Sequence, residues 1–166
     1  NAPTGLARSR AEMEAFIAED PERLVLVDEA YVDFGNESCV PLVSKYDNLI
    51  VTMTFSKSRS MAGMRLGYGI ACPEVISDLN ALRYSTNPYN IDRLAIAAGV
   101  ASLENDEVNA ANCRTVMENR QYTGEQLKAR GFEMTDSTAN FIFVKHPEIG
   151  GDVLFQKLRE RGVIIR

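Results

Sequence analysis

The sequence predicts an α/β protein: a mostly parallel sheet with covering helices, followed by a smaller α+β layer. Two patterns carry this expectation, continuous apolar runs of strand length and helix-period segments between and after them. The third observation is compositional. With 45% apolar and 25% charged residues, 11 Gly and 6 Pro in 166 residues, the chain is that of a globular protein able to bury a core.

Each element has a local reason. Ser9-Arg10-Ala11-Glu12 has the form of a capping box, and Met13, Phe16 and Ile17 follow at helical spacing, which predicts a helix from Ser9 to Glu19. Pro21 ends it. Leu24 to Val27 then reads as a strand buried on both faces, with Asp28 at its C-terminal end, and the same reading applies to Leu49 through Phe55 and Leu66 through Cys72. Helices are expected over Pro73 to Arg83, Asp92 to Glu104 and Glu107 to Arg130, the last closed by Gly131. The final third changes character. It predicts a short strand at Phe132 to Met134, an alternating strand at Asn140 to Lys145, a helix at Asp152 to Arg161 and a last strand from Val163. A soft division near Asn105 separates residues 1–104, part of a larger unit, from residues 105–166, a smaller one.

Charge and rare residues remove several function classes. Eighteen basic against 23 acidic residues leave a net charge of −5, which disfavours nucleic acid and anionic membrane surfaces as partners. The longest weakly polar stretch, Leu94 to Leu103, is ten residues, short of the roughly 18 needed to span a bilayer. His146 is the only histidine, so a metal site or a nucleophile–histidine pair would rest on one residue, and no metal is expected. Cys39, Cys72 and Cys113 are widely spaced and odd in number; they fit buried thiols in a reducing, cytoplasmic setting. Gly63, Gly67 and Gly69 match neither nucleotide-binding glycine pattern.

The chemistry concentrates where strands end. Asn1 to Gly5, Asp28 to Tyr31, and Thr54-Phe55-Ser56-Lys57 through Arg65-Leu66-Gly67 bring a carboxylate, a phenol, hydroxyls, a lysine and an arginine to one sheet edge. Such an inventory suits a phosphorylated ligand with a cationic ring and an amine linkage. Lys57, just past a strand, is the candidate nucleophile, with an ammonium that loses hydration there. Asp28, buried at a strand end, requires a cation, and a protonated pyridine nitrogen would serve. Arg65, eight residues beyond Lys57, presents a planar fork to a phosphate beside the hydroxyls of Thr54 and Ser56. Tyr31 reaches the same ring.

These elements carry a resemblance. Asn-x-Pro-Thr-Gly, Asp-Glu-Ala-Tyr, Ser-Lys and Gly-x-Arg-x-Gly, in this order, resemble the fold type I pyridoxal-phosphate enzymes of aminotransferase class I/II. Val27 to Phe34, Thr54 to Ser58, Ala62 to Tyr68, Ala139-Asn140-Phe141 and Arg161 to Arg166 are similar, more narrowly, to the histidinol-phosphate aminotransferase family. The resemblance implies that Lys57 carries pyridoxal phosphate, Asp28 meets its ring nitrogen, Tyr31 its ring oxygen, and Thr54, Ser56 and Arg65 its phosphate. It also implies that Asn1 approaches the cofactor and that Asn140 and Arg166 lie near substrate. One departure is Ala2, which stands where many relatives carry the cofactor-binding Asn. The implied reaction converts histidinol phosphate and 2-oxoglutarate to imidazole acetol phosphate and glutamate in a cytoplasmic homodimer. The resemblance further implies that this chain is a fragment, inactive alone, lacking an N-terminal half and an extreme C-terminus. Two other readings stay open, a threonine-phosphate decarboxylase-like lyase and a non-catalytic interaction module on the same fold.

Overall fold

A computed structural model describes all 166 residues. The first helix, α1 (Arg10–Ala18), starts as its capping box requires: Glu12 N–H donates to Ser9 Oγ at 3.3 Å and Ser9 N–H to Glu12 Oε2 at 2.9 Å. The helix turns Ile17, wholly buried, toward the sheet.

That sheet has three strands in the order β1 (Val25–Asp28), β2 (Leu49–Thr54) and β3 (Gly67–Ile70). β1 and β2 are parallel, with Val25 opposite Leu49 and Asp28 opposite Thr52. β3 departs from the expected parallel, buried strand. It runs antiparallel to β2, with Thr54 opposite Gly67, and its residues are largely exposed. The connection from Phe55 to Leu66 contains only a 3₁₀ turn at Ala62–Met64; without a helix to carry the chain over the sheet, the strand returns beside its neighbour. Gly67 suits this close return, because a Cβ there would approach Met53 O to 2.8 Å. Burial on both faces is also not general. Leu24 and Leu26 are 58% and 60% exposed while Val25 is buried, so β1 has one covered and one open face.

The core behind the sheet comprises Ile17, Val25, Cys39, Leu42, Leu49 and Val51. Asn48 ties it together by donating through Nδ2 to Ile17 O, Asp20 O and Arg23 O at 3.3, 3.2 and 2.9 Å. Its two N–H groups are shared among three carbonyls around the end of α1 at the entrance to β2.

The remaining helices are α2 (Pro73–Thr86), α3 (Arg93–Glu104), α4 (Asp106–Lys128) and α5 (Gly151–Glu160). Gly131 closes α4 as the sequence predicts: it adopts φ 83°, Gly131 N–H donates to Lys128 O at 3.0 Å and Phe132 N–H to Leu127 O at 3.1 Å. None of the helices is long and apolar enough to cross a membrane. β4 (Glu133–Met134) and β5 (Val144–Lys145) form a short antiparallel pair. The alternation from Asn140 yields strand only at its end, because the preceding chain is held in a turn in which Ser137 Oγ donates to Phe141 O and accepts from Ala139 N–H. The expected strand from Val163 does not form. Residues 163–166 are exposed and irregular, without the neighbouring strand whose ladder a β conformation needs.

Candidate active site

Parallel pairing sends β1 and β2 to the same edge, and the antiparallel β3 starts there. Asp28 ends β1, Thr54 ends β2 and Gly67 opens β3, so the loops carrying Tyr31, Ser56, Lys57 and Arg65 leave or enter one edge. There Lys57 Nζ lies 5.4 Å from the centroid of the Tyr31 ring. The Tyr31 ring meets Phe141 edge to face, with centroids 5.4 Å apart. Lysine and phenol from separate loops therefore converge as expected.

The surroundings correct two premises. Lys57 is exposed rather than dehydrated, and Asp28 is exposed rather than buried, its Oδ1 accepting from Ala30 N–H at 3.0 Å. Both follow from the open edge, where no element of the chain lies over these side chains. The buried carboxylate is its neighbour. Glu29, 7% exposed, accepts from Ser38 Oγ at 2.6 Å and from Cys39 N–H at 2.5 Å. Successive side chains at a strand end point to opposite sides, which puts Asp28 outward and Glu29 inward. Burial together with the Glu29 charge pushes the Cys39 thiol up to about 11.

The anion-binding candidates sit on a strained loop. Arg65 is non-glycine at φ 53° and Ser60 at φ 55°, a left-handed backbone costing on the order of 1 kcal/mol each. The Arg65 guanidinium donates to Ala62 O at 2.9 Å, leaving most of its donor fork available. Thr54 Oγ1 accepts from Ser56 N–H at 3.1 Å, so the two hydroxyl residues share one turn. Arg59 pins the loop from behind, donating to Ser102 O and to Asp106 Oδ1, each at 2.7 Å.

Asn1 reaches the site through the N-terminal turn. Gly5, at φ 79°, accepts from Thr138 N–H at 2.9 Å, and a Cβ at Gly5 would run into Ser137. Asn1 and Asp28 line a common cavity of about 160 Å³ with Glu29 and Asn36. Asn1 Nδ2 is buried without a partner. A larger cavity of about 320 Å³ lies between α4 and residues 134–138 and contains none of the predicted site residues.

Asn140 and Arg166 are less integrated. Both are exposed; Asn140 comes near only through its neighbour Phe141 on Tyr31, and no hydrogen bond or ion pair ties Arg166 to the sheet edge. Sequence reasoning missed the residues that hold the Tyr31 turn. Asn36 Nδ2 donates to Tyr31 O at 3.0 Å and Thr138 O at 2.8 Å. Arg120 Nη1 donates to Phe34 O at 3.1 Å and Ala139 O at 2.7 Å, and burial holds its guanidinium below the usual value. Ser58 Oγ donates to Asp33 Oδ2. Only Glu29 and Asp33 carried a signal, their place within the Asp28–Phe34 segment.

Comparison with known proteins bears on the family and the fold. The histidinol-phosphate aminotransferase of Acinetobacter baylyi is 48% identical over all 166 residues, which cover 46% of its length. The chain thus spans about half the length of the curated relatives it matches. Among solved structures, the histidinol-phosphate aminotransferase of Sinorhizobium meliloti in complex with pyridoxal-5'-phosphate superposes with a TM-score of 0.88 at 24% identity, over 99% of this chain and 46% of that one. L-threonine-O-3-phosphate decarboxylase of Porphyromonas gingivalis superposes with 0.84 at 22% identity, over 100% and 50%; at such identities both structures share the fold alone with this chain. The family model for aminotransferase class I and II matches residues 1–166, and the chain belongs to that family.

Proposed function

We propose that the sheet edge around Lys57 is the pyridoxal-phosphate site of a transaminase acting on histidinol phosphate and 2-oxoglutarate, within a polypeptide longer than this chain. The observation that carries the reading is the approach of Lys57 Nζ to the Tyr31 ring, 5.4 Å from its centroid, at the edge that also receives Asp28, Thr54, Ser56 and Arg65. The residues fit the cofactor chemically. An available guanidinium and two hydroxyls suit a phosphate, an outward carboxylate suits a protonated ring nitrogen, and the unpartnered Asn1 Nδ2 supplies a buried donor in need of an acceptor. The 48% identity to a histidinol-phosphate aminotransferase supports this substrate pair over phosphothreonine.

Pyridoxal phosphate supplies an electron sink for a carbanion at the substrate α-carbon. Asp28 holds a proton on the ring nitrogen by charge pairing, which keeps that sink effective. Tyr31 binds the ring oxygen. Arg65, Thr54 and Ser56 fix the phosphate and with it the ring's orientation. Lys57 would hold the cofactor through its amine and would serve as general acid and base for the proton at the α-carbon. Residues 1–104 form the cofactor-lysine part of a large domain and residues 105–166 part of a small one, with Asn140 and Arg166 directed toward substrate. The 166 residues span about half the length of the curated relatives, and the complete enzyme is a cytoplasmic homodimer.

The test is to reduce the complete enzyme with borohydride in the presence of pyridoxal phosphate and map the labelled peptide, then assay products. Label on Lys57, with 2-oxoglutarate converted to glutamate as histidinol phosphate becomes imidazole acetol phosphate, is the expected result. Label elsewhere sinks the site, carbon dioxide from threonine phosphate turns the reading to a lyase, and absence of cofactor binding turns it to an interaction module.

A further inference from the structure

Lys57 is an exposed, flexible side chain on a loop that holds two non-glycine residues in left-handed backbone. Such a loop keeps one shape only if its surroundings hold it. Two neighbours of Lys57 do so in different directions. Arg59 ties the loop to α3 and α4 through Ser102 O and Asp106. Ser58 turns inward, only 6% exposed, and its hydroxyl donates to Asp33 Oδ2. Asp33 lies two residues beyond Tyr31, in the 3₁₀ turn Val32–Phe34, whose Phe34 carbonyl is gripped by Arg120. The Asp33–Ser58 bond is the one side-chain hydrogen bond joining the Tyr31 turn to the Lys57 loop.

Building on the cofactor site proposed above, we propose that Asp33 is a positioning residue that sets Lys57 against Tyr31 by anchoring Ser58. The bond is charge-assisted, so it is stronger than a neutral one, and it satisfies a buried hydroxyl that the loop would otherwise strand. Asp33 itself is exposed. The core does not need its carboxylate; what depends on it is the mutual placement of two loops.

The experiment uses the complete enzyme with bound pyridoxal phosphate and compares Asp33→Ala, Ser58→Ala, the double variant and Asp33→Asn. Asp33→Ala is expected to lower kcat on the order of ten- to a hundredfold, the scale of a small misplacement of a reacting group, while KM for histidinol phosphate changes by less than about threefold. The visible circular-dichroism band of the bound cofactor, which reports the orientation of its lysine link, should weaken or shift, with borohydride labelling of Lys57 retained and the melting temperature lowered only modestly by the stranded Ser58 hydroxyl. The double variant should be no worse than the poorer single, because both remove one bond. Asp33→Asn, which keeps an acceptor oxygen, should recover most of kcat and the band. Lys57 labelled in every variant, with kcat and the band unchanged in Asp33→Ala, would overturn the positioning role and leave the cofactor site standing. Additive losses in the double variant, or a lowered melting temperature as the sole change, would overturn it likewise. No label at Lys57 in the unsubstituted enzyme would bring down the site reading and this role together.

Discussion

The strand region and the helices after it treat apolar residues in opposite ways. Around β1, β2 and α1 large side chains fill one face of the sheet: Ile17, Leu49 and Val51 are wholly buried against one another, while Leu26 stays on the open face. In α3 the small residues point inward. Ala95 and Gly99 are buried, Gly99 so close that a Cβ would meet the Leu66 and Phe55 side chains, while Leu94, Ile96, Val100 and Leu103 are exposed. α2 and α5 bury no residue at all. A helical apolar stripe thus says which face seeks cover and not what covers it. The first region closes on itself and supports a site at its edge, whereas the second offers its larger apolar face outward.

The largest expected effect separates chemistry from packing within the first region. Lys57→Ala in the complete enzyme should lower transamination by at least about 10²- to 10⁴-fold, the range for a lost general acid–base group. Its melting temperature should stay near that of the parent, because the side chain is exposed. Steady-state rates and calorimetry on the same preparation decide it; unfolding of the variant would mean that the edge and the core are not separable.

Next comes the contrast between regions. Leu49→Ala removes a wholly buried side chain from β2 and should cost about 2–5 kcal/mol. Leu82→Ala on α2, at 61% exposure, should change stability by less than about 0.5 kcal/mol. Urea titrations of the 166-residue chain measure both. Equal costs would show that α2 is packed in solution and break the comparison.

A smaller effect tests the polar side of the closed region. Glu29→Ala strands the Ser38 hydroxyl and the Cys39 amide, with a cost of about 1–3 kcal/mol for unpaired buried groups. The Cys39 thiol should react slowly with a disulfide reagent at mild alkaline pH until the chain unfolds, since its folded value stands near 11 against an ordinary 9.0. A group favoured in its neutral form contributes stability that is fully present below pH 9.0 and is lost as pH rises toward 11. Melting temperatures across that window, compared with Cys39→Ala, check the sign.

What the sequence disclosed follows the same divide. Caps, turns and strand exits are local, so α1, the Gly131 closure and the approach of Lys57 to Tyr31 at one edge were legible from neighbouring residues. Direction and cover are not local. Leu66 to Cys72 reads as another buried parallel strand, yet β3 runs antiparallel and exposed, because the intervening loop has no crossover helix. Asp28 and Lys57 read as buried for a related reason: an apolar run before a charged residue does not reveal whether anything lies above the strand end. Arg120 and Asn36 hold the Tyr31 turn from 86 and five residues away along the chain, counted to Phe34 and Tyr31, and a lone Arg in a long helix advertises no such partner.

The smallest effect concerns helix starts. α1 begins with Ser9 and Glu12 satisfying each other's backbone amides, whereas α5 begins at Gly150 with no side-chain cap. Ser9→Ala should cost about 1 kcal/mol in chemical denaturation near neutral pH. The reciprocal bonds from Ser9, with the Arg8 guanidinium, hold the Glu12 carboxyl below its ordinary 4.5. A depressed carboxyl contributes stability above pH 4.5 that disappears as pH falls through its lower folded value. The penalty of Ser9→Ala should therefore shrink in acid, when a protonated Glu12 no longer serves as half of the box. A penalty unchanged by acid would assign the cap to the Ser9 hydroxyl alone and place the first turn of α1 nearer to the uncapped start of α5.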